Sequence, residues 1–400
     1  MRDDWKETTL GEVATIVNGS TPSTKKPEYW GGDIPWITTT ELTACDDGFI
    51  DSSIRNITPR AIDSGGARIV RSGATLLGTT ATIGTAALAV VDTSFNQQIS
   101  GLLPKSGRVL DEFLFLWARG NRTHLNDLSA GTSFKRISTV NLKNLSFMLP
   151  PLAEQKRMVD VVSSVDTYID ALQQQADSAR TARNAVLHEL LSAGGDDWTE
   201  TTLGDIAEVV GGGTPSTTKE EFWDGDVIWL TPTEVTAIDG KVISDSKRKI
   251  TKAGLQSSGA RVLPKGTVIL TSRASVGFVA LAGTELTTNQ GFQSLIPSER
   301  VDGVFLMFWI QINRAEFESR SAGSTFKEIS KSNVKSIAIK LPPLVEQKRI
   351  VDVVSSIDDV IQSTEPALAD AKNLRSGLLS DLLSGEHEIP ASYDKFVGAA

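Results

Sequence analysis

Leu149-Pro150-Pro151-Leu152-Ala153-Glu154-Gln155-Lys156-Arg157 returns as Leu341-Pro342-Pro343-Leu344-Val345-Glu346-Gln347-Lys348-Arg349, 192 residues later. After each copy the hydrophobic pattern changes to a heptad. From Met158, apolar or small residues fall at 162, 165, 169, 172, 176, 179, 186 and 190, with Arg183 breaking the series. The second series is Ile350, Val354, Ile357, Ile361, Leu368, Ala371, Leu378 and Leu382, broken at Thr364 and Arg375. Alternating steps of four and three place these side chains on one stripe of a helix. A helix of about 38 residues is roughly 57 Å long at 1.5 Å per residue. Pro366 removes a backbone donor and predicts a kink. Gly194-Gly195 and Gly385 stand where left-handed caps end helices. Two stripes of matching length predict an antiparallel coiled coil that relates the halves by a pseudo-twofold axis. Val162, Val165, Ile169, Leu172, Val354, Ile357, Ile361 and Leu368 are its expected seam.

Outward from the motif, the whole chain is a tandem duplication. Trp5 matches Trp198, Gly19 matches Gly212, Trp36 matches Trp229 and Gly73 matches Gly266, each pair 193 apart. A period near 190 residues is too long for a solenoid, so a whole domain with its helix has been duplicated. The part before each helix reads as mixed α and β. Val268-Ile269-Leu270 is a strand, Pro264-Lys265-Gly266 a turn, and Phe113–Trp117 and Phe305–Ile310 are helical. The fold class is therefore α+β. The expected boundaries are 1–148 and 196–340 for the two domains, 149–195 and 341–385 for the helices, and 386–400 for a tail.

One cysteine, Cys45, and three scattered histidines exclude a disulfide framework and offer no metal-ligand spacing. No phosphate-cradling glycine loop, dinucleotide fingerprint or Asn-Pro-Pro-Tyr motif occurs, so no enzymatic chemistry and no cofactor are expected. No apolar signal core or run of about 20 apolar residues is present, which points to the cytoplasm rather than to a membrane. The net charge of −9 is awkward for a nucleic-acid binder. Residues 1–148 are nevertheless balanced, with 15 basic and 15 acidic side chains, and 196–340 carry 16 against 18. Such balance predicts weak nucleic-acid binding by the isolated chain, so a partner must add affinity.

The order of domain, Leu-Pro-Pro-Leu with Glu-Gln-Lys-Arg, and long helix, all of it twice, resembles the specificity subunits of type I restriction-modification systems over nearly the whole chain. The Gly19-Ser20-Thr21-Pro22-Ser23 loop, Ile34-Pro35-Trp36-Ile37 and Asn96-Gln97 also resemble the family's target recognition domains. The resemblance implies that each domain reads half of a bipartite site on double-stranded DNA while the helices hold the halves apart. It also implies docking of two DNA methyltransferase (modification) subunits and a motor-nuclease (restriction) subunit. A twofold pair of readers engages half-sites about 34 Å apart, one turn of duplex.

Loops on a rigid scaffold carry recognition. The candidate DNA contacts are accordingly Ser20, Thr21, Ser23, Thr38, Thr39, Thr80, Asn96, Gln97, Lys135 and Arg136 in the first copy. In the second copy they are Thr214, Ser216, Thr217, Thr231, Arg273, Ser275, Asn289, Gln290 and Lys327. Lys135, Arg136 and Lys327 suit phosphates. Asn96-Gln97 and Asn289-Gln290 match adenine edges or a buried amide network. Arg273, aligned with Thr80, suits guanine or a structural ion pair. The tryptophans suit core packing, the loop hydroxyls suit local capping, and Glu-Gln-Lys-Arg needs no role beyond a first helical turn. A coiled-coil scaffold that binds proteins and no DNA is the competing function.

Overall fold

The computed structural model describes residues 4–45, 47–127, 136–322 and 327–394. Contacts divide the chain into two units, Met1–Gln173 with Ala367–Ala400, and Gln174–Pro366. Each holds one domain, one half of its own long helix and one half of the other helix.

In the first unit a five-stranded sheet runs in the order Ala14–Asn18, Ile99–Pro104, Thr75–Gly78, Ala86–Ala89, Phe49–Ile50. A four-stranded sheet runs Asn56–Ile57, Trp30–Ile37, Thr93–Phe95, Ile69–Val70, with Trp36 beside Ser94 in a parallel pair. The first sheet packs on Asp111–Gly120, where Phe113 to Ala118 are all buried. A helix apolar on every side belongs inside. The second unit repeats the five-stranded order with Ala207–Gly211, Gln293–Pro297, Val268–Leu270, Val279–Ala282, Val242–Ile243 and the buried helix Gly303–Ile312.

The long helices are Leu152–Ser192 and Leu344–Ser384, 41 residues each, or about 61 Å at 1.5 Å per residue. Gly194 (φ +63°) and Gly385 (φ +76°) take the left-handed conformation just past their ends. The second helix stays helical through Pro366. Within each unit the two helices run antiparallel. Val162, Ile169 and Val354 are buried, whereas Val165, Leu172, Ile357, Ile361 and Leu368 are half-buried. Near the helix ends Leu187 and Leu379 are buried, one residue on from the expected 186 and 378. A helix of 3.6 residues per turn drifts against a strict 3.5 repeat.

The arginines that break the heptads are not defects. Arg375 grips Asp166 with two nitrogens, Nη2 at 2.9 Å, in the first unit. Arg183 grips Asp358 in the same way in the second, Nη2 at 3.2 Å. A bidentate pair of this geometry fixes helix register and direction. Arg180 adds a bond to Glu365 at 2.9 Å.

Gln155 and Gln347 likewise exceed a plain first-turn role, for both are fully buried. The Gln155 amide donates to Arg108 O (3.1 Å) and Pro150 O (2.8 Å) and accepts from Leu110 N (2.9 Å). Gln347 does the same with Arg300 O, Pro342 O and Asp302 N at 3.1, 2.8 and 2.8 Å. Each amide therefore ties a long helix to the loop that starts the buried helix of its domain. Beside it, Trp5 Nε1 donates to Glu154 at 3.0 Å. Gln347→Ala is expected to lower the stability of the second unit by about 2–4 kcal/mol, because three backbone groups gathered around a fully buried amide lose a partner together. Urea unfolding measures this, and a wild-type midpoint would contradict it.

Candidate nucleic-acid interface

In the first domain three loops are laced together. Gly19 N donates to Ile99 O (3.0 Å) and Ser20 N to Phe95 O (2.9 Å), so the Thr-Pro-Ser loop lies against the turn at Asn96. A Cβ on Gly19 would fall 2.0 Å from Asn96 O, which leaves room only for glycine. Thr21 gives its hydroxyl proton to Gln97 Oε1. Thr39 Oγ1 reaches Gln98 Oε1 at 3.2 Å. Thr79 N donates to Gln98 O (2.9 Å), Ile137 N to Thr79 O (3.0 Å), and Thr80 bridges to Arg136.

The second domain is built the same way. A Cβ on Gly212 would fall 1.9 Å from Asn289 O, and Thr214 donates to Gln290 Oε1. Ser272 N donates to Gly291 O (2.7 Å), Ala274 N to Lys327 O (3.1 Å), and Arg273 bridges to Glu328. Ala81 (φ +63°) and Ala274 (φ +60°) hold the same left-handed conformation at matching loop tips. Strain in a residue other than glycine persists only where the surroundings impose it, and it clusters at functional loops.

The structure thus gathers Thr21, Thr39, Thr80, Asn96, Gln97 and Arg136 in one domain, and Thr214, Arg273, Asn289, Gln290 and Lys327 in the other. Gln97, Gln290, Arg136 and Lys327 are exposed; Lys135 lies outside the described residues. Ser20 is half-buried and Ser23, Ser216 and Thr217 are exposed on the loops, while Ser275 is half-buried near the Ala274 tip. Several candidates are otherwise engaged. Thr38 and Thr231 place their hydroxyls in capping boxes with Glu41 and Glu234, at 2.6 Å each. Asn96 is buried and accepts from Gln98 N at 3.0 Å, while Asn289 accepts from Gly291 N at 2.8 Å. These amides shape the turn, and only the following glutamines face outward. Arg273 pairs with Glu328 at 2.9 Å.

The tryptophans are framework. Trp36, Trp223 and Trp229 are buried, and each domain stacks its pair edge to face, centroids 5.1 Å apart. Their indole N–H groups hold the Thr-Pro-Ser loop, Trp30 through Ser23 O (3.2 Å) and Trp36 through Ser20 O (3.0 Å). Trp223 and Trp229 bind Ser216 O (3.1 Å) and Gly213 O (2.9 Å).

Sequence reasoning missed Arg55 and Arg248, which lie on the faces of Trp30 and Trp223 at 3.8 and 3.7 Å from the ring centres. Lys26 and Lys219 sit over Tyr29 and Phe222, both at 5.0 Å. The Tyr29 hydroxyl accepts from Lys26 Nζ at 3.0 Å, which raises the lysine pKa and lowers that of the tyrosine. Their signal was available, since both cations recur at the 193-residue offset. Among the described residues no cluster of three metal-ligating side chains forms, and no helix is long and apolar enough to cross a membrane.

The profile of the type I restriction modification DNA specificity domain matches residues 2–179 and again 195–371. The chain is 40% identical over 169 residues to the type I restriction enzyme MjaIX specificity subunit of Methanocaldococcus jannaschii, covering 42% of this chain and 39% of that one. It is 26% identical over 234 residues to the EcoR124I/EcoR124II specificity subunit of Escherichia coli, 56% of each chain. The chain spans about two to three fifths of the lengths of these relatives. The S subunit of a type I restriction-modification system from M. genitalium shares the fold, with a TM-score of 0.57 and 16% identity over 96% of this chain and 97% of that one. The two matches together span most of the chain, which therefore belongs to the type I restriction modification DNA specificity family, its domain present twice.

Proposed function

We propose that the protein is the DNA-reading subunit of a type I restriction-modification complex and performs no chemistry itself. Domains at 1–148 and 196–340 each read one half of a gapped site on duplex DNA. The helical segments 149–195 and 341–385 set the gap and, with the domain bases, dock two methyltransferase subunits; a motor-nuclease subunit joins for cleavage. The complex works in the cytoplasm, and the tail is 386–400.

The observation that carries this reading is the paired loop cluster, whose backbone framework is shared while its outward side chains differ. Thr80 pairs with Arg136 across a bridge in one domain, and Arg273 pairs with Glu328 across the matching bridge in the other. A shared frame with unequal side chains suits two readers of different sequences. In the test, the chain assembled with its methyltransferase is titrated onto duplexes at rising salt. Binding that prefers one gapped sequence and weakens with salt is the expected result. Absence of salt-dependent DNA binding would favour the protein-only scaffold.

A further inference from the structure

The chain is acidic overall, yet a duplex reader needs cations facing phosphates. The ion pairs account for many of the basic side chains: Arg71, Arg261, Arg273, Arg314 and Arg320 all hold carboxylates. Arg55 and Arg248 do not. Both are exposed, and neither has a carboxylate partner among the described residues. Each instead sits over the face of an indole, 3.8 and 3.7 Å from the ring centre, whose own N–H is bound to the Thr-Pro-Ser loop, by Trp30 to Ser23 O and by Trp223 to Ser216 O. The guanidinium is thereby held on a ring that is tied to the Thr-Pro-Ser loop, and the arginine stays exposed to solvent. Stacking fixes the plane of an arginine and leaves its fork free for a planar bidentate contact. Lys26 and Lys219 sit over Tyr29 and Phe222, the residues that immediately precede Trp30 and Trp223 in the chain, so each copy carries a second ring-bound cation on the same segment.

We propose that Arg55 with Lys26, and Arg248 with Lys219, are two equivalent clamps for phosphodiester groups of the DNA backbone. The proposal rests on the DNA-reading function above. Recurrence in both copies decides the ligand class: residues identical in two readers of different half-sites cannot supply the difference, but they can hold the backbone common to both. A phosphate contact fixes register on the duplex without carrying sequence.

The test uses the full chain assembled with its methyltransferase subunits, comparing wild type, Arg55→Gln and Arg55→Lys on a duplex with the cognate site and on a scrambled duplex. Affinity is followed between about 50 and 200 mM salt. Arg55→Gln is expected to weaken binding to both duplexes by the same factor, about 3- to 10-fold, and to reduce the slope of log affinity against log salt by about 0.9, one phosphate contact. Arg55→Lys keeps most of the slope. Should Arg55→Gln melt early, Arg248→Gln gives the same reading in the other copy. An unchanged slope and affinity would make the stack mere packing and overturn the clamp, as would a loss confined to the cognate duplex. A wild-type complex that binds no duplex overturns the DNA reading itself, and the clamp with it.

Discussion

Val354→Asp is expected to unfold the helix pairing of the second unit. Val354 is fully buried in the cluster that joins the second long helix to the domain core. A carboxylate there has no partner in an apolar surround, at a cost of about 3–5 kcal/mol. That is a large share of the roughly 5–15 kcal/mol by which a domain is stable. The unfolding midpoint should fall sharply, and sequence-specific binding by the assembled complex should fall with it. Val360→Asp, on an exposed position of the same helix, should shift stability by less than about 0.5 kcal/mol. Equal midpoints for the two variants would contradict the assigned seam.

Arg273→Thr is expected to relax one base position in one half-site and leave the other half-site untouched. The Arg273–Glu328 pair is 46% and 45% exposed. Such a surface pair is worth about 0–1 kcal/mol, so a base edge can displace the carboxylate cheaply. An arginine gripping guanine at O6 and N7 discriminates by about 1–3 kcal/mol, roughly 5- to 150-fold, and threonine cannot imitate it. Thr80, the aligned residue, bridges instead to Arg136, so the cation stands on the opposite strand of the bridge in the first domain. A binding screen over all single-base variants of the site measures this; relaxation in both half-sites, or in neither, would contradict it.

The architecture was legible because periodicity records it. A heptad running the length of each long helix and a 193-residue repeat survive any uncertainty about individual residues. Gln155 was not legible, since a glutamine in a first helical turn normally faces water, and only the fold brings Arg108 and Leu110 to its amide. Arg183 and Arg375 looked like flaws because their partners lie 175 and 209 residues away. Within the candidate interface, Thr21 and Gln97 were each singled out from the loop motifs, but their mutual hydrogen bond came only with the fold, and Thr38 could not be told from a base contact until its capping box with Glu41 was seen. Arg55 was marked only by its recurrence as Arg248 at the 193-residue offset, and its stack on Trp30 arises from strand pairing between Trp30–Ile37 and Asn56–Ile57.

The central claim, that each domain reads its own half-site, is tested most directly by mapping DNA methylation in a host whose copy of this gene carries a second 196–340 in place of 1–148. The wild-type gene should direct methylation to a gapped site with two different halves. The substituted gene should direct it to a gapped, inverted-repeat site in which both halves match the original second half. An unchanged site, or one whose second half also changes, would contradict the account.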